Sequence, residues 1–409
     1  MDKKFSFFII DDDLSFTYAL TEILTSEGHT VQSGSIGRDT LSAIVANRPS
    51  CIIVDAAASG RDGHAIIRHL RGIHTLNDTK IAALWTEQSD QLGRDVLAAG
   101  ADGFIPKNGD TQTIVNDLKQ VIGGRVRFTF WGVHGTLTVP GRKTVRYGGN
   151  TPCVSVQLPG DGLFVFDAGS GIKEFSNYLT AQSYQITQGT IFISHPHWDH
   201  IHGLPFFAPL YPQGNSFDIY GPPNGSMSLR KLIAGQMDGV YFPINMKEFG
   251  AHVSFFDLGE EQITIGPTTI QTMFLNHPGE CLGYRLNYKD KSFCYVTDQE
   301  LYPPSSNLYD EDYVRRLGTF VADADVLITD TTYRDEEYEG KIGWGHSSVQ
   351  QAVEMADRAG VKKLYLFHHD PDQTDDDIDA KLEMAQTILE ERGSSTICIA
   401  PKEGESFTV

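Results

Sequence analysis

The sequence predicts an α/β chain in two parts: a doubly wound parallel sheet over residues 1–122, a linker at 123–126, and a second α/β unit over residues 127–409. Three observations carry this expectation. Strand-like and helix-like segments alternate through the first 122 residues. Gly123-Gly124 then closes the last helical stretch, and VRFTFWG opens a new strand. Within the second part, the apolar run Ile191-Phe192-Ile193 leads straight into SHPHWDHIHGL, a segment dense in metal-binding side chains.

In the first part, FSFFII reads as a strand and Leu14 to Glu27 as an amphipathic helix. CIIVD, IAALW and GFIP read as further strands, each followed by helical periodicity. A parallel sheet built this way gathers its ligands at the carboxyl ends of its strands. Asp11 and Asp12 close the first strand, Asp55 the third, Thr86 follows the fourth and Lys107 the fifth. Clustered carboxylates need a divalent cation in order to coexist, and a cation together with a lysine offsets the charge of a phosphoryl group.

This pattern resembles the receiver domain of bacterial response regulators, a flavodoxin-like fold. The resemblance implies that Asp11, Asp12 and Asp55 hold magnesium and that Asp55 accepts phosphate from a histidine kinase. Thr86 and Lys107 would contact the phosphoryl group, and Phe104 stands where the switch aromatic lies. Two departures occur: DAAASGRDG lacks the usual Met-Pro after the phosphoacceptor, and Asn rather than Pro follows Lys107. Both also suit a receiver kept only for docking or dimerisation. The short linker implies that the two units can touch.

Composition narrows the partners. With 53 acidic against 33 basic residues the net charge is −20, and no basic stripe exceeds a pair such as Arg315-Arg316 or Lys362-Lys363. Extended nucleic acid is therefore not the expected ligand. The opening MDKKFSFFIIDDD reads as a strand, no run approaches a membrane span, and a cytoplasmic location is expected. Five scattered cysteines without a CxxC argue against a disulfide framework or a cysteine zinc site.

In the second unit, VSVQL and LFVFD follow the opening strand, the latter ending at Asp167 before the small-residue turn AGSG. After Ile193, the side chains of His195, His197, Asp199 and His200 fall within six residues. Imidazole and carboxylate are ligands that zinc takes, and a strand end passing into a helix start aims alternate residues at one point. Three more donors sit at strand ends: His277 after TIQTMFLN, Asp298 at the end of SFCYVTD, and His368 after KLYLF, with His369 beside it.

H-x-H-x-D-H after an apolar strand resembles the signature of the metallo-β-lactamase-fold hydrolases, which bind two metal ions at the edge of an αββα sandwich. Trp198 occupies the position at which flavodiiron oxidoreductases of that superfamily usually place a ligating glutamate, which favours hydrolysis over iron redox chemistry. The resemblance implies that His195, His197 and His277 hold one divalent ion and Asp199, His200 and His368 the other, with Asp298 bridging and zinc or manganese as the metal. His368 is chosen over His369 by counting the strand as LYLF. Asp167 would orient the histidine loop from behind, although DAGSG is equally a strand-to-helix turn with a capping carboxylate.

The loop GRKTVRYGGNTPC resembles one that lies beside the metals in a phosphodiesterase-like branch, which places Asn150 and Thr151 along the site. His134, in the same region, would touch substrate. ADVLITDTTY followed by GWGHSS resembles the tRNA 3′-processing endonuclease and its cyclic-phosphodiesterase relatives, in which an acidic residue and a histidine assist the leaving group. Here these are Asp330 and His346, with Asp199 also placed in the catalytic set; His346 also suits a plain helix-start position. Pro205 to Gly250 reads as an ordered loop system over the site, its Tyr241, Phe242 and Pro243 serving as cover for a base, as packing, or as contacts of a homodimer. His202 would lie behind the metals and His252 on the surface.

The expected activity is metal-dependent hydrolysis of a small or cyclic nucleotide-type phosphodiester, regulated by the receiver, with His346 protonating the leaving oxygen. A lactonase or thioesterase using the same ligands is one rival; a signalling scaffold with a vestigial site is the other.

Overall fold

The computed structural model describes the chain apart from residues 1–3, 36, 57–62, 77–78, 86–95, 97–98, 108–109, 124–125, 159–161, 182–185 and 241. It forms two compact units, Met1–Arg125 and Val126–Val409.

The first unit has strands β1 (Ser6–Ile10), β2 (Thr30–Ser33), β3 (Cys51–Asp55), β4 (Lys80–Trp85) and β5 (Gly103–Pro106), all parallel in the order β2-β1-β3-β4-β5. Alternation along β1 and β3 feeds two cores. Phe8, Ile10, Ile52 and Val54 pack with Ile44, Ile67 and Leu70 from the helices Arg38–Asn47 and Gly63–Arg71. Phe7, Ile9, Cys51 and Ile53 pack with Leu20, Leu24, Ile114 and Leu118 from the helices Leu14–Ser26 and Thr111–Gly123. This is the doubly wound arrangement expected, because a strand buried on both faces shows each face to a different helix pair.

The second unit is a sandwich of two seven-stranded sheets. One contains β6 (Arg127–Gly132), β7 (Cys153–Leu158), β8 (Gly162–Phe166), β9 (Gln188–Phe192), β10 (Ser216–Gly221), β11 (His252–Asp257) and the returning β19 (Ser406–Thr408), in the order β11-β10-β9-β8-β7-β6-β19. The other runs in sequence order from β12 (Gln262–Ile265) through β13 (Thr268–Phe274), β14 (Leu282–Tyr288), β15 (Lys291–Val296), β16 (Val326–Asp330) and β17 (Lys363–Phe367) to β18 (Ile397–Ile399). Aromatic rings seal the inner faces: Phe166 meets Phe293 at 5.4 Å, Phe192 meets Tyr284 at 5.0 Å, and Phe128 meets Tyr365 edge-on at 5.3 Å. The helix Gly171–Ala181 covers the first sheet through Phe175 and Leu179. The helices Glu311–Phe320, Val349–Arg358 and Asp375–Glu391 supply Leu317, Val353 and Ile378 to the core with the second sheet. The αββα expectation holds. Among the described residues no helix is long and apolar enough to cross a membrane.

One expectation is corrected. The segment from Pro205 to Gly250 is not only loops: it supplies β10, paired in parallel with both β9 and β11, and a helix, Leu229–Gln236. Alternating burial along SFDIYG marks β10 as a strand with one face in the core, a period-two signal overshadowed by the prolines and glycines around it. Tyr241 lies outside the described residues, and Phe242 stacks edge-on against Phe206 at 5.5 Å.

Candidate metal centre and acid dyad

The parallel strands β8, β9, β15, β16 and β17 end near one another, each with a polar side chain at its end or within two residues beyond it: Asp167, Ser194, Asp298, Asp330 and His368. Two donor groups form there. In the first, His195, His197, His277 and Asp298 offer atoms within 4.8 Å of one another; in the second, Asp199, His200, Asp298 and His368 do the same.

Asp298 belongs to both groups through different oxygens. Its Oδ2 stands 3.6 Å from His195 Nε2 and 3.7 Å from His277 Nε2, while its Oδ1 stands 3.2 Å from both His200 Nε2 and His368 Nε2. In the first group, His197 Nδ1 lies 2.8 Å from His195 Nε2 and 3.2 Å from His277 Nε2. In the second, Asp199 Oδ2 lies 3.2 Å from His200 Nε2 and 3.3 Å from His368 Nε2, and accepts a hydrogen bond from Thr136 N at 2.7 Å.

The electrostatics suit cations. Burial, reinforced by the neighbouring His200, pushes the His195 imidazole well below the usual histidine range, which leaves its ring a neutral donor. Burial also opposes a charge on His200, but the carboxylates of Asp199, Asp298 and Asp167 outweigh it and drive its pKa well up. His200 Nε2 is nonetheless buried without a hydrogen-bond partner, although two carboxylate oxygens converge beside it. Such a nitrogen, surrounded by nitrogen and oxygen donors aimed at the same space, fits a divalent ion such as zinc or manganese.

The supports behind the donors are equally specific. Asp167 accepts from Ser194 N at 2.7 Å, Ser194 Oγ at 2.8 Å, Tyr295 Oη at 2.8 Å and His200 Nδ1 at 2.7 Å. Thr332 Oγ1 lies 3.1 Å from His368 Nδ1 and 2.8 Å from Asp330 Oδ1. Asp167 and His368 both take left-handed backbone, φ 57 and 60, an uncommon state for these residues that recurs at functional sites. Gly135 is required by close approach, since a Cβ there would fall 2.1 Å from His368 Cε1.

Beside the second group, His346 Nδ1 pairs with the buried Asp330 Oδ2 at 2.6 Å, and its ring stacks on His368 at 4.9 Å. Burial disfavours the imidazolium, but the Asp330 carboxylate and its hydrogen bond prevail and raise the pKa to about 9. Asp330 and His346 also offer atoms within 4.8 Å of Asp298 and His368, so the dyad adjoins the second donor group.

The remaining expected residues fall as follows. His369 turns away from the donors, fully buried against His134 at 5.8 Å between ring centroids, so the alternative between His368 and His369 resolves to His368 as the donor. His134, expected to touch substrate, is likewise fully buried, and its backbone is bridged to that of His369. Asn150 and Thr151 brace the turn after β8, where Ser170 Oγ donates to Asn150 Oδ1 and Ser170 N donates to Thr151 Oγ1, each at 2.8 Å. Trp198 is 80% exposed and belongs to neither donor group.

Sequence reading assigned no supporting role to Thr136, which holds Asp199, to Ser194 and Tyr295, which hold Asp167, or to Thr332, which holds Asp330 and lies beside His368 Nδ1. Only Ser194 carried a local signal, as the strand-end residue before His195.

In the first unit, Lys107 Nζ reaches Asp11 Oδ2 and Asp55 Oδ2, each at 2.8 Å. Burial raises the pKa of Asp11 in spite of Lys107. The three consecutive aspartates divide the work at this end of β1. Asp11 is buried in the cluster, Asp12 is exposed, and Asp13 caps the next helix by accepting from Ser15 N and Phe16 N. Phe104 is 40% exposed and stacks on Trp85 at 4.3 Å, while Thr86 lies outside the described residues.

Known proteins match both units. The family model of a β-lactamase superfamily domain matches residues 164–369, and that of a response regulator receiver domain matches residues 7–119. Among curated relatives, Ribonuclease Z of Thermoplasma acidophilum is 26% identical over 308 residues, covering 65% of this chain and 94% of its own. Ribonuclease BN of Cronobacter sakazakii is 27% identical over 248 residues, covering 51% of this chain and 78% of its own. Among solved structures, the metallo-β-lactamase fold protein YhfI of Bacillus subtilis superposes with a TM-score of 0.50 at 19% identity, over 70% of this chain and 100% of that one. Unliganded yeast PDE1 superposes with a TM-score of 0.51 at 15% identity, over 70% and 99%. At such identities the superpositions show the fold alone. Strand order, strand-end donors and family match agree: the chain belongs to the β-lactamase superfamily, with the metallo-β-lactamase fold, and carries a response regulator receiver domain ahead of it.

Proposed function

We propose that the second unit is a dinuclear-metal phosphodiesterase acting on a small or cyclic nucleotide-type phosphodiester, regulated by phosphorylation of the first. The pairing of His346 with Asp330 at 2.6 Å, beside seven converging donors, carries this reading. His195, His197 and His277 would hold one ion and Asp199, His200 and His368 the other, with one oxygen of Asp298 for each. When bound, such ions neutralise phosphoryl charge and make water a nucleophile near neutral pH. Asp330 holds His346 through Nδ1, leaving Nε2 to give its proton to the departing oxygen. Asp167 and Thr332 keep His200 and His368 turned to the ions.

In the first unit, Asp11, Asp12 and Asp55 would hold magnesium, Asp55 would take phosphate from a histidine kinase, and Lys107 would pair with the phosphoryl oxygens. The net charge of −20 supports a small substrate over a long polyanion. The ribonuclease names of the relatives favour a second reading, hydrolysis of RNA.

The test is kinetic. Metal-loaded protein is assayed on cyclic mononucleotides, cyclic dinucleotides, structured RNA, bis(p-nitrophenyl) phosphate and a lactone panel. His346→Ala should lower kcat about 10²–10⁴-fold on a diester with a poor leaving group and far less on one releasing p-nitrophenolate, at unchanged metal content. Equal losses on the two substrates would remove His346 from the acid role, and turnover of lactones alone would remove the phosphodiester.

A further inference from the structure

The loop that presents His346 contains Gly343 and Gly345, both with φ +86. Its own backbone supplies few ties, such as Trp344 N to Lys341 O at 3.1 Å, so its shape depends on what grips it. The grip is Glu300, fully buried two residues beyond Asp298. Its Oε1 accepts from Gly343 N and from Tyr338 Oη, and its Oε2 from Gly345 N, each at 2.8 Å. These three groups are all donors, and two of them are backbone amides that no side-chain movement can redirect.

Glu300 is tied equally closely to the first donor group. Its backbone N donates to Asn276 O, and Asn276 Nδ2 donates back to Glu300 O, both at 2.8 Å. Asn276 precedes His277, whose Nδ1 donates to Gly345 O at 2.8 Å. That bond fixes the ring's tautomer and leaves Nε2 with its lone pair facing His197 and Asp298. Gly345 admits nothing larger, because a Cβ there would lie 2.5 Å from His277 Nδ1. Glu300, Gly345, His277 and Asn276 thus close a ring of contacts between a metal donor and the loop of His346.

We propose that Glu300 is a positioning residue that sets two groups at once: the tautomer and direction of His277, and the place of His346. The His346 half rests on the phosphodiesterase reading; the His277 half does not. Glu300→Gln keeps the side chain's size but turns an amide NH2 towards one of the three donors, opening the ring of contacts. Two readouts follow. Zinc or manganese affinity, measured by chelator competition without substrate, should fall about 10–100-fold at one of the two sites, the usual effect of a lost supporting partner. On diesters, the loss of kcat should be larger with the poor leaving group, as for His346→Ala, and the double variant should lose no more leaving-group dependence than His346→Ala alone.

Tyr338→Phe, which removes one of the three bonds, should move both readouts in the same direction by less, and it carries the test if Glu300→Gln does not fold. Wild-type metal affinity in these variants, or equal loss on both diesters, would overturn the proposal. A wild-type protein that cleaves no diester, but whose Glu300→Gln variant releases one ion, would sink the phosphodiesterase reading and leave the link from Glu300 to His277 standing.

Discussion

Asp167→Asn separates the support of the metal centre from the metal donors themselves. The substitution preserves size, and asparagine tolerates left-handed backbone as well as aspartate does, so the φ of 57 at this position introduces no new strain. Asp167 is fully buried and accepts four hydrogen bonds, three of them on Oδ2 from Ser194 Oγ, Tyr295 Oη and His200 Nδ1. The amide oxygen of asparagine is best placed towards those three donors. Its NH2 then faces Ser194 N, which loses its acceptor. One buried N–H left unpaired costs about 1–3 kcal/mol. The bonds retained fall from charge-assisted to neutral strength, roughly half. Together these point to a loss of about 3 kcal/mol, or roughly 6–12 °C in Tm for a unit of this size.

His200 also loses the carboxylate that fixes its ring, so affinity for one of the two ions should drop about 10–100-fold. Thermal unfolding with and without chelator, together with a competition titration of zinc, measures both effects. Tyr295→Phe, which removes one hydrogen-bond donor to Asp167 and no charge, should give a small fraction of each. A variant that unfolds within about 2 °C of wild type and holds both ions at wild-type affinity would refute the role assigned to Asp167.

Three further outcomes are expected. The loaded protein should carry about two divalent ions per chain; Asp298→Ala should abolish both sites, since Asp298 serves both donor groups, whereas Asp199→Ala should remove one, as metal analysis will show. Lys381 is fully buried with Nζ donating to Thr331 O at 2.6 Å, and burial, against the pull of Asp330, pushes its pKa down to about 7. The unfolded chain therefore binds more protons than the folded one between about pH 7 and 10.5, and this lysine makes stability rise with pH through that window. Lys381→Met should flatten that rise, by at most about 5 kcal/mol across it, in denaturant unfolding at several pH values; an unchanged slope would show that the lysine does not titrate there. In the receiver, beryllofluoride with magnesium should change the hydrolase rate or oligomeric state of wild type and leave Asp55→Ala unaffected; no response in wild type would remove the proposed regulation.

The sequence by itself determined the parts whose physics is local. Apolar runs such as FSFFII and CIIVD, alternating with helical stretches, marked buried parallel strands, and the offsets of His195, His197, Asp199 and His200 after Ile193 marked a donor loop, because a strand end and a helix start impose fixed directions on successive side chains. Asp298, Asp330 and His368 were legible as strand-end residues, although nothing local says that those ends meet. β10 was missed because its alternation is short and surrounded by turn residues, and partners on both sides make it a strand.

Counting the strand as LYLF already favoured His368 over His369, and tertiary structure supplies the physical reason: left-handed backbone at His368, with no side chain at Gly135 in the way, turns one ring to the donors while its neighbour packs against His134. It alone divided Asp298 between two donor groups, one oxygen to each. It also chose Glu300, Thr332 and Tyr295 as supports, residues whose importance comes from hydrogen bonds to partners that are tens or more than a hundred positions away in the chain. A motif records the spacing of neighbours along one segment, whereas a supporting hydrogen bond is a property of two segments brought together, and only the packed sandwich brings these together.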